Sequence, residues 1–287
     1  MTKILSTFIA TKTLGPVLAL AVLGASALQA AAACVAEIKA ADLVMPGSVQ
    51  LSINPTNPPQ QYVDSDGTLK GLNVELANEI APRICTPVTL VRMDFPGMIP
   101  AVKAGRIDGM NTGMFWNEER SKILFMVPYG VQSLSVVVAS DKNVVVKSAA
   151  DLAGSAVGVE TNSYQEKWLT TYSEKLVAEG AKPITIRAFK TATDVTGALL
   201  AGQVDSALLI DSVAHTLVEK GRVRESVTGL GENRMSMAFR NKAVAEAVVK
   251  ALASMQEDGT YKKLFDKFGL RGLPAGQVVA IVGPGPQ

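Results

Sequence analysis

Polar and apolar residues alternate in "SVQLSIN" (Ser48 to Asn54), where Val49, Leu51 and Ile53 recur at period two. That is the spacing of a strand with one buried face. The period then lengthens. "LNVELANEIAPRI" (Leu72 to Ile84) spaces its apolar residues as a helix does. "MIPAVKAGRIDGMN" (Met98 to Asn111) predicts a helix, a stop at Gly105 and a strand through Ile107. Strand–helix–strand units of this kind build parallel sheets, so the pattern points to an α/β fold.

The same pattern returns further along. "GSAVGVETN" (Gly154 to Asn162) matches "GSVQLSIN" (Gly47 to Asn54), and "ALLAGQVDSALL" (Ala198 to Leu209) matches "AVKAGRIDGMN" (Ala101 to Asn111). In the second pair a helix ends at Ala-Gly, and an apolar residue plus Asp opens a strand. Gly105 and Gly202 suit the left-handed position that follows a helix. Two similar α/β lobes are expected. The joining segments, "VPYGVQSLSVVVAS" (Val127 to Ser140) and "GENRMSMAFRN" (Gly231 to Asn241), read as extended chain. The chain then crosses twice between lobes. Lobe one comprises 34–133 and a return over 232–270, and lobe two comprises 134–231. Two strands form the hinge beside an interlobe cleft. The Gly/Pro-rich tail 271–287 is expected to be disordered.

The N-terminus stands apart. Lys3 and Lys12 precede the apolar run "LGPVLALAVLGASAL" and the small residues "QAAAAC". Residues 1–33 read as a secretory signal peptide, too short in its apolar part to span a membrane comfortably. An exported, soluble mature chain is expected. Without the two leader lysines, the 28 basic residues become 26 against 26 acidic ones. The mature charge is about zero, and no basic–aromatic stripe suggests a nucleic-acid surface. The two cysteines, Cys34 and Cys85, suggest a disulfide in an exported protein. A lipidated Cys34 and free thiols are the alternatives.

Familiar catalytic constellations are missing. The one histidine, His215, falls in an apparent helix, "DSVAHTLVEK". With two distant cysteines it cannot make a zinc site, so neither metal nor cofactor is expected. No phosphate-binding glycine loop occurs. One residue is oddly placed. In "GMFWNEERSKILF" (Gly113 to Phe125), Asn117 is a good N-cap and Glu118 and Glu119 suit a first turn. Arg120 then puts a cation near the positive end of a helix.

The ordered segments "DGTLKGLNVELANEIA", "FPGMIPAVKAGRIDGMNTGMFWNEERSKILFMVPY", "DLAGSAVGVETNS", "LLAGQVDSALLID" and "MQEDGTYKKLFDKFG" resemble the periplasmic amino-acid-binding proteins of ABC importers, solute-binding family 3. The resemblance runs from Gly47 to Gly269. It implies a periplasmic-binding-protein-like fold of two α/β lobes on a two-strand hinge. It also implies a monomeric, non-enzymatic receptor that delivers a small ligand to an inner-membrane ABC permease. By the resemblance, Arg120 grips the ligand's α-carboxylate, which would account for its position. Thr112 and Gly113 donate to that carboxylate, and Ser163 and Tyr164 close over it. Asp211 receives the ammonium group, and Phe95 lines the pocket. The chain departs from the pattern at Asn57, where a stacking aromatic is common, and at Phe115, Asn162 and Tyr164. Phe115 or Tyr164 would supply the missing stacking surface, and Glu160 is a candidate side-chain contact. Local explanations compete: Arg120 pairing with Glu118 or Glu119, Asp211 capping the next helix, Ser163 with Glu166 as a capping box. The rival functions are a cyclohexadienyl-type dehydratase on the same fold and a free ligand-binding sensor.

Overall fold

The computed structural model describes residues 34–286. The expected signal peptide lies outside the described residues. Lobe one opens with β1 (Val49–Ile53), the short β2 (Thr56–Asn57), β3 (Gln61–Val63) and β4 (Leu69–Lys70), then α1 (Leu72–Arg83), β5 (Val88–Arg92), α2 (Phe95–Lys103), β6 (Gly109–Phe115) and α3 (Glu118–Ser121). The chain crosses on β7 (Phe125–Ala139). Lobe two is β8 (Ala156–Glu160), α4 (Tyr164–Ala178), β9 (Thr185–Phe189), α5 (Ala192–Leu200), β10 (Ser206–Ile210) and α6 (Asp211–Glu219). The return crossing is β11 (Val223–Phe239), followed by α7 (Lys242–Glu257) and α8 (Thr260–Lys267).

One sheet of order β5-β1-β6-β11-β7-β10-β8-β9 passes through both lobes. Its ends are parallel, β5/β1/β6 in one lobe and β10/β8/β9 in the other. The long β7 and β11 lie antiparallel between them. Along β7 the core changes. Val127 and Tyr129 pack with α1, α7 and α8, whereas Leu134, Val136 and Val138 pack with α4 and α5. Register shifts in β11 around Val227, Leu230 and Asn233 mark the crossing. Bulges of this kind bend a ribbon without cutting it.

The internal repeat has a physical basis. The β1–α1–β5–α2–β6 run of lobe one is matched by β8–α4–β9–α5–β10 in lobe two. Gly105 and Gly202 both take positive φ, +66° and +71°, just after α2 and α5. The aspartates after them do the same work. Asp108 accepts from the backbone N–H of Val44 and of Gln50 on β1, each at 2.7 Å, and Asp205 accepts from the N–H of Ala156 on β8 at 2.8 Å. Each carboxylate ties the last strand of its lobe to the start of the first.

Cys34 and Cys85 form a disulfide, Cα atoms 5.6 Å apart, fastening the start of the described residues to the end of α1. The tail corrects an expectation. Residues 271–286 are not loose. Arg271 pairs with Val131 on β7 and with Glu232, Val279 is buried in the lobe-one core, and the Val282 N–H donates to Met126 O. Trp116 Nε1 donates to Val282 O, and the Gly285 N–H to Ser121 O. Composition predicted disorder because Gly and Pro lower helix and strand propensity. The valines and isoleucine between them supply an apolar edge, and lobe one supplies matching donors and acceptors.

Candidate functional site

The cleft faces of the two lobes meet at Arg120. Its turn is built locally: Asn117 Oδ1 accepts from the Arg120 N–H at 2.7 Å, and Ser121 beside it is held by the tail. The side chain turns inward, only 7% exposed. Nη1 donates to Phe115 O at 2.8 Å within lobe one, and Nη2 donates to Asn162 O in lobe two at 2.9 Å. The guanidinium carbon sits 5.5 Å from the centre of the Phe95 ring. Among the described residues no carboxylate pairs with it. Its pKa is pulled down to about 10 by burial, with Glu119 and Glu160 opposing. The local ion pairs are made elsewhere: Glu118 bonds Lys122, and Glu119 reaches Lys167 across the cleft.

Asn162 explains a departure from the family pattern. It stands at φ +58°, in the left-handed region. Asparagine enters that region more readily than most non-glycine residues, so it can stand where the resemblance implies a glycine. Its N–H donates to Glu166, and Ser163 caps α4 by accepting from the Glu166 N–H. The S-x-x-E cap therefore holds the loop that offers its carbonyl to Arg120.

The remaining candidates gather around one small cavity of about 20 Å³, room for about one water. Asn57, Phe95, Thr112, Gly113, Phe115, Ser163 and Tyr164 line it together with Arg120. Phe115 and Tyr164 stack across the cleft, ring centres 4.8 Å apart at 27°. The Thr112 hydroxyl is already engaged, accepting from the Asn54 N–H and from Gln61 Nε2, both at 3.2 Å. Gly113 has φ +68°, and a Cβ there would overlap Gln60 Oε1. Gln60 is itself fixed to Gln132 of the hinge at 2.7 Å.

Asp211 does not join them. Ile210 lines the cavity, whereas Asp211 turns to a separate open hollow of about 550 Å³ beside the hinge and accepts from Ser135 Oγ at 2.8 Å. Ile210 ends β10 and Asp211 begins α6, so their side chains leave the turn in different directions. Nor does Asp211 cap α6, whose start has no side-chain cap. The acid that does line the cavity is Glu160, at the end of β8, 5% exposed and accepting from Asn54 Nδ2 of lobe one at 2.7 Å. Its pKa rises to about 8. Burial is the main cause, Asp94 and Asp194 add to it, and Asn54 and Arg120 oppose. The sequence signal was a carboxylate ending an otherwise apolar strand; Asn54 and Gln165 gave none. His215 is exposed on α6 beside Glu219, remote from the cavity lining.

The site thus encloses a fixed cation, one acid, a pair of stacked rings and several amide and hydroxyl groups. It can hold a small molecule carrying both charges. Among the described residues it contains no hydroxyl–imidazole pair for covalent catalysis.

Comparison with known proteins agrees with this architecture. The L-cystine-binding protein TcyJ of Escherichia coli (strain K12) is 28% identical over 227 residues, covering 77% of this chain and 82% of the relative. The histidine-binding periplasmic protein of Salmonella typhimurium is 27% identical over 241 residues, covering 80% and 90%. Among solved structures, an ancestral arginine-binding protein bound to glutamine superposes with a TM-score of 0.70 at 32% identity, covering 78% of this chain and 98% of that one. The family model of the bacterial extracellular solute-binding proteins, family 3, matches residues 49–271, and the chain belongs to that family.

Proposed function

We propose that the protein is a periplasmic receptor that captures an amino acid or related zwitterion between its lobes and delivers it to an ABC permease. The relatives named above support that class of cargo. The observation that carries the reading is Arg120, a buried guanidinium without an acid partner among the described residues, facing an interlobe cavity. A planar guanidinium binds a carboxylate through two parallel hydrogen bonds. Phe115 and Tyr164 supply apolar surface from opposite lobes.

The lobes are shut in this structure, and the cavity is smaller than an amino acid, so they part to admit one. A ligand that touches both lobes stabilises the shut form by its differential affinity for it. A dissociation constant near 1 μM would correspond to about −8 kcal/mol. The receptor acts as a monomer, exported to the periplasm, and makes no covalent bond.

The test is a thermal-shift screen on protein stripped of ligand by unfolding and refolding. The panel holds the standard amino acids, L-cystine and opine-like compounds. A binder raises the melting temperature, and titration calorimetry then gives its affinity. A panel without a single binder would sink the reading. One observation favours a second reading: a carboxyl titrating near 8 in the cleft could act as a general acid for a dehydratase. Purified protein is expected to leave prephenate and arogenate unchanged, and turnover of either would replace the receptor reading.

A further inference from the structure

Glu160 is held between the lobes. Its own backbone belongs to β8 of lobe two, while the amide that bonds its carboxylate belongs to Asn54 of lobe one. Among the described residues no lysine, arginine or histidine forms an ion pair with it. The charged groups that face it are Arg120 from α3, Asp94 at the start of α2 and Asp194 on α5. Two acids stand against one arginine, and that arginine is committed to the carbonyls of Phe115 and Asn162. Asp211 is turned away, so Glu160 is the one acid among the described residues lining this cavity.

We propose that Glu160 accepts a positively charged group of the ligand, and that its negative charge keeps the empty cleft open at neutral pH. The inference deepens the receptor reading and rests on it. With the lobes parted, the carboxylate faces water and ionises as an ordinary glutamate does, near pH 4.3. Shutting the lobes on nothing strips that water and brings Asp94 close, and a bare buried carboxylate is strongly disfavoured. Glu160 must then take one proton from the solvent. A ligand cation removes the need: the carboxylate stays ionised, pairs with the cation, and no proton moves. The sign follows. The shut form raises the carboxyl to about 8, so empty closure is unhindered below the ordinary glutamate pKa and is lost as pH rises through about 8. Recognition and gating are one charge: the cleft rejects closure until a cation arrives.

Two variants test this, Glu160→Gln and Asp211→Asn, each titrated with L-arginine and with L-glutamine, or with the tightest binder of the screen. Glu160→Gln should weaken binding about tenfold or more, the loss of one hydrogen bond to a charged group. Asp211→Asn should leave affinity within about threefold. A loss for both amino acids assigns Glu160 to the α-ammonium, and a loss for L-arginine alone assigns it to a side-chain cation. Small-angle scattering of the unliganded proteins supplies the readout that a merely structural role would not move. Wild type should be extended at pH 8 and grow more compact toward pH 5, whereas Glu160→Gln should be compact throughout. Undiminished affinity in Glu160→Gln, or a wild-type envelope insensitive to pH, overturns the inference. If no amino acid binds wild type at all, the receptor reading itself has failed.

Discussion

Replacing Arg120 by alanine removes the one cation that the cavity lining offers. The structure sets the size of the effect. The guanidinium is 7% exposed, so a carboxylate seated against it exchanges water for protein donors. A hydrogen bond to a charged group contributes about 1.5–3 kcal/mol, and a bidentate grip makes two, so about 3–6 kcal/mol is at stake. The substitution also removes the bond to Asn162 O, one of the latches between lobes, leaving that carbonyl unpaired in the shut form. Burial already depresses the arginine's pKa to about 10, so holding the cation in the unliganded cleft carries a desolvation cost that alanine relieves. The lower half of the range is therefore expected: a dissociation constant weaker by roughly 10²–10³-fold at 1.4 kcal/mol per decade. Arg120→Lys keeps the charge but not the planar fork and should fall between the two. The assay is titration calorimetry on refolded protein with the tightest binder of the screen. Circular dichroism melts establish that each variant folds. A folded Arg120→Ala protein binding within about threefold of wild type refutes the assignment.

Other expectations follow from the same coordinates. Tyr164→Ala removes the ring stacked on Phe115 across the cleft; such pairs are worth about 0.5–1.5 kcal/mol beyond area burial, so affinity should fall about tenfold by calorimetry while the melting temperature of unliganded protein barely moves. Truncation after Leu273 removes Val279 from the core, together with the Trp116–Val282 and Ser121–Gly285 bonds. One buried valine alone is worth about 1.5–3 kcal/mol, so the melting temperature should drop by several degrees. Affinity should drop too, because Trp116 and Ser121 flank Phe115 and Arg120; an unchanged melt would count against the packed tail. Removing the Cys34–Cys85 bridge, which closes a separation of 51 residues, should destabilise by up to about 4 kcal/mol on the chain-entropy account. Denaturant midpoints with and without reductant measure it, and ligand affinity should persist because neither cysteine lines the cavity. Gly113→Ala should lower both stability and affinity, since the added carbon meets Gln60 Oε1 at a left-handed backbone position.

Much of this protein was legible in residue order because much of it is local. Period two at Val49, Leu51 and Ile53, helical spacing from Leu72 and the Gly105 and Gly202 stops all act within a few residues, and the structure places the elements close to those signals, although β6 begins at Gly109, past the expected Ile107. Repetition of these short signals was enough to expect two lobes of one topology. Arg120 is visible for the same reason: a cation at a helix start conflicts with local electrostatics and so asks for a partner from elsewhere. Tertiary structure decided what depends on distant groups. Whether Asp211 or Ile210 faces the cleft turns on where β10 ends, and a slip of one residue reverses the answer. Glu160 is only a candidate contact in sequence; the structure buries it between the lobes against Asn54, and burial raises its pKa. The tail reads as disordered from its glycines and prolines, yet Met126, Trp116 and Ser121 hold it in place. Propensity is a sum over neighbours in sequence, whereas burial, ionisation and order are set by neighbours in space, and in a two-lobed chain the decisive ones come from the opposite lobe or the far end.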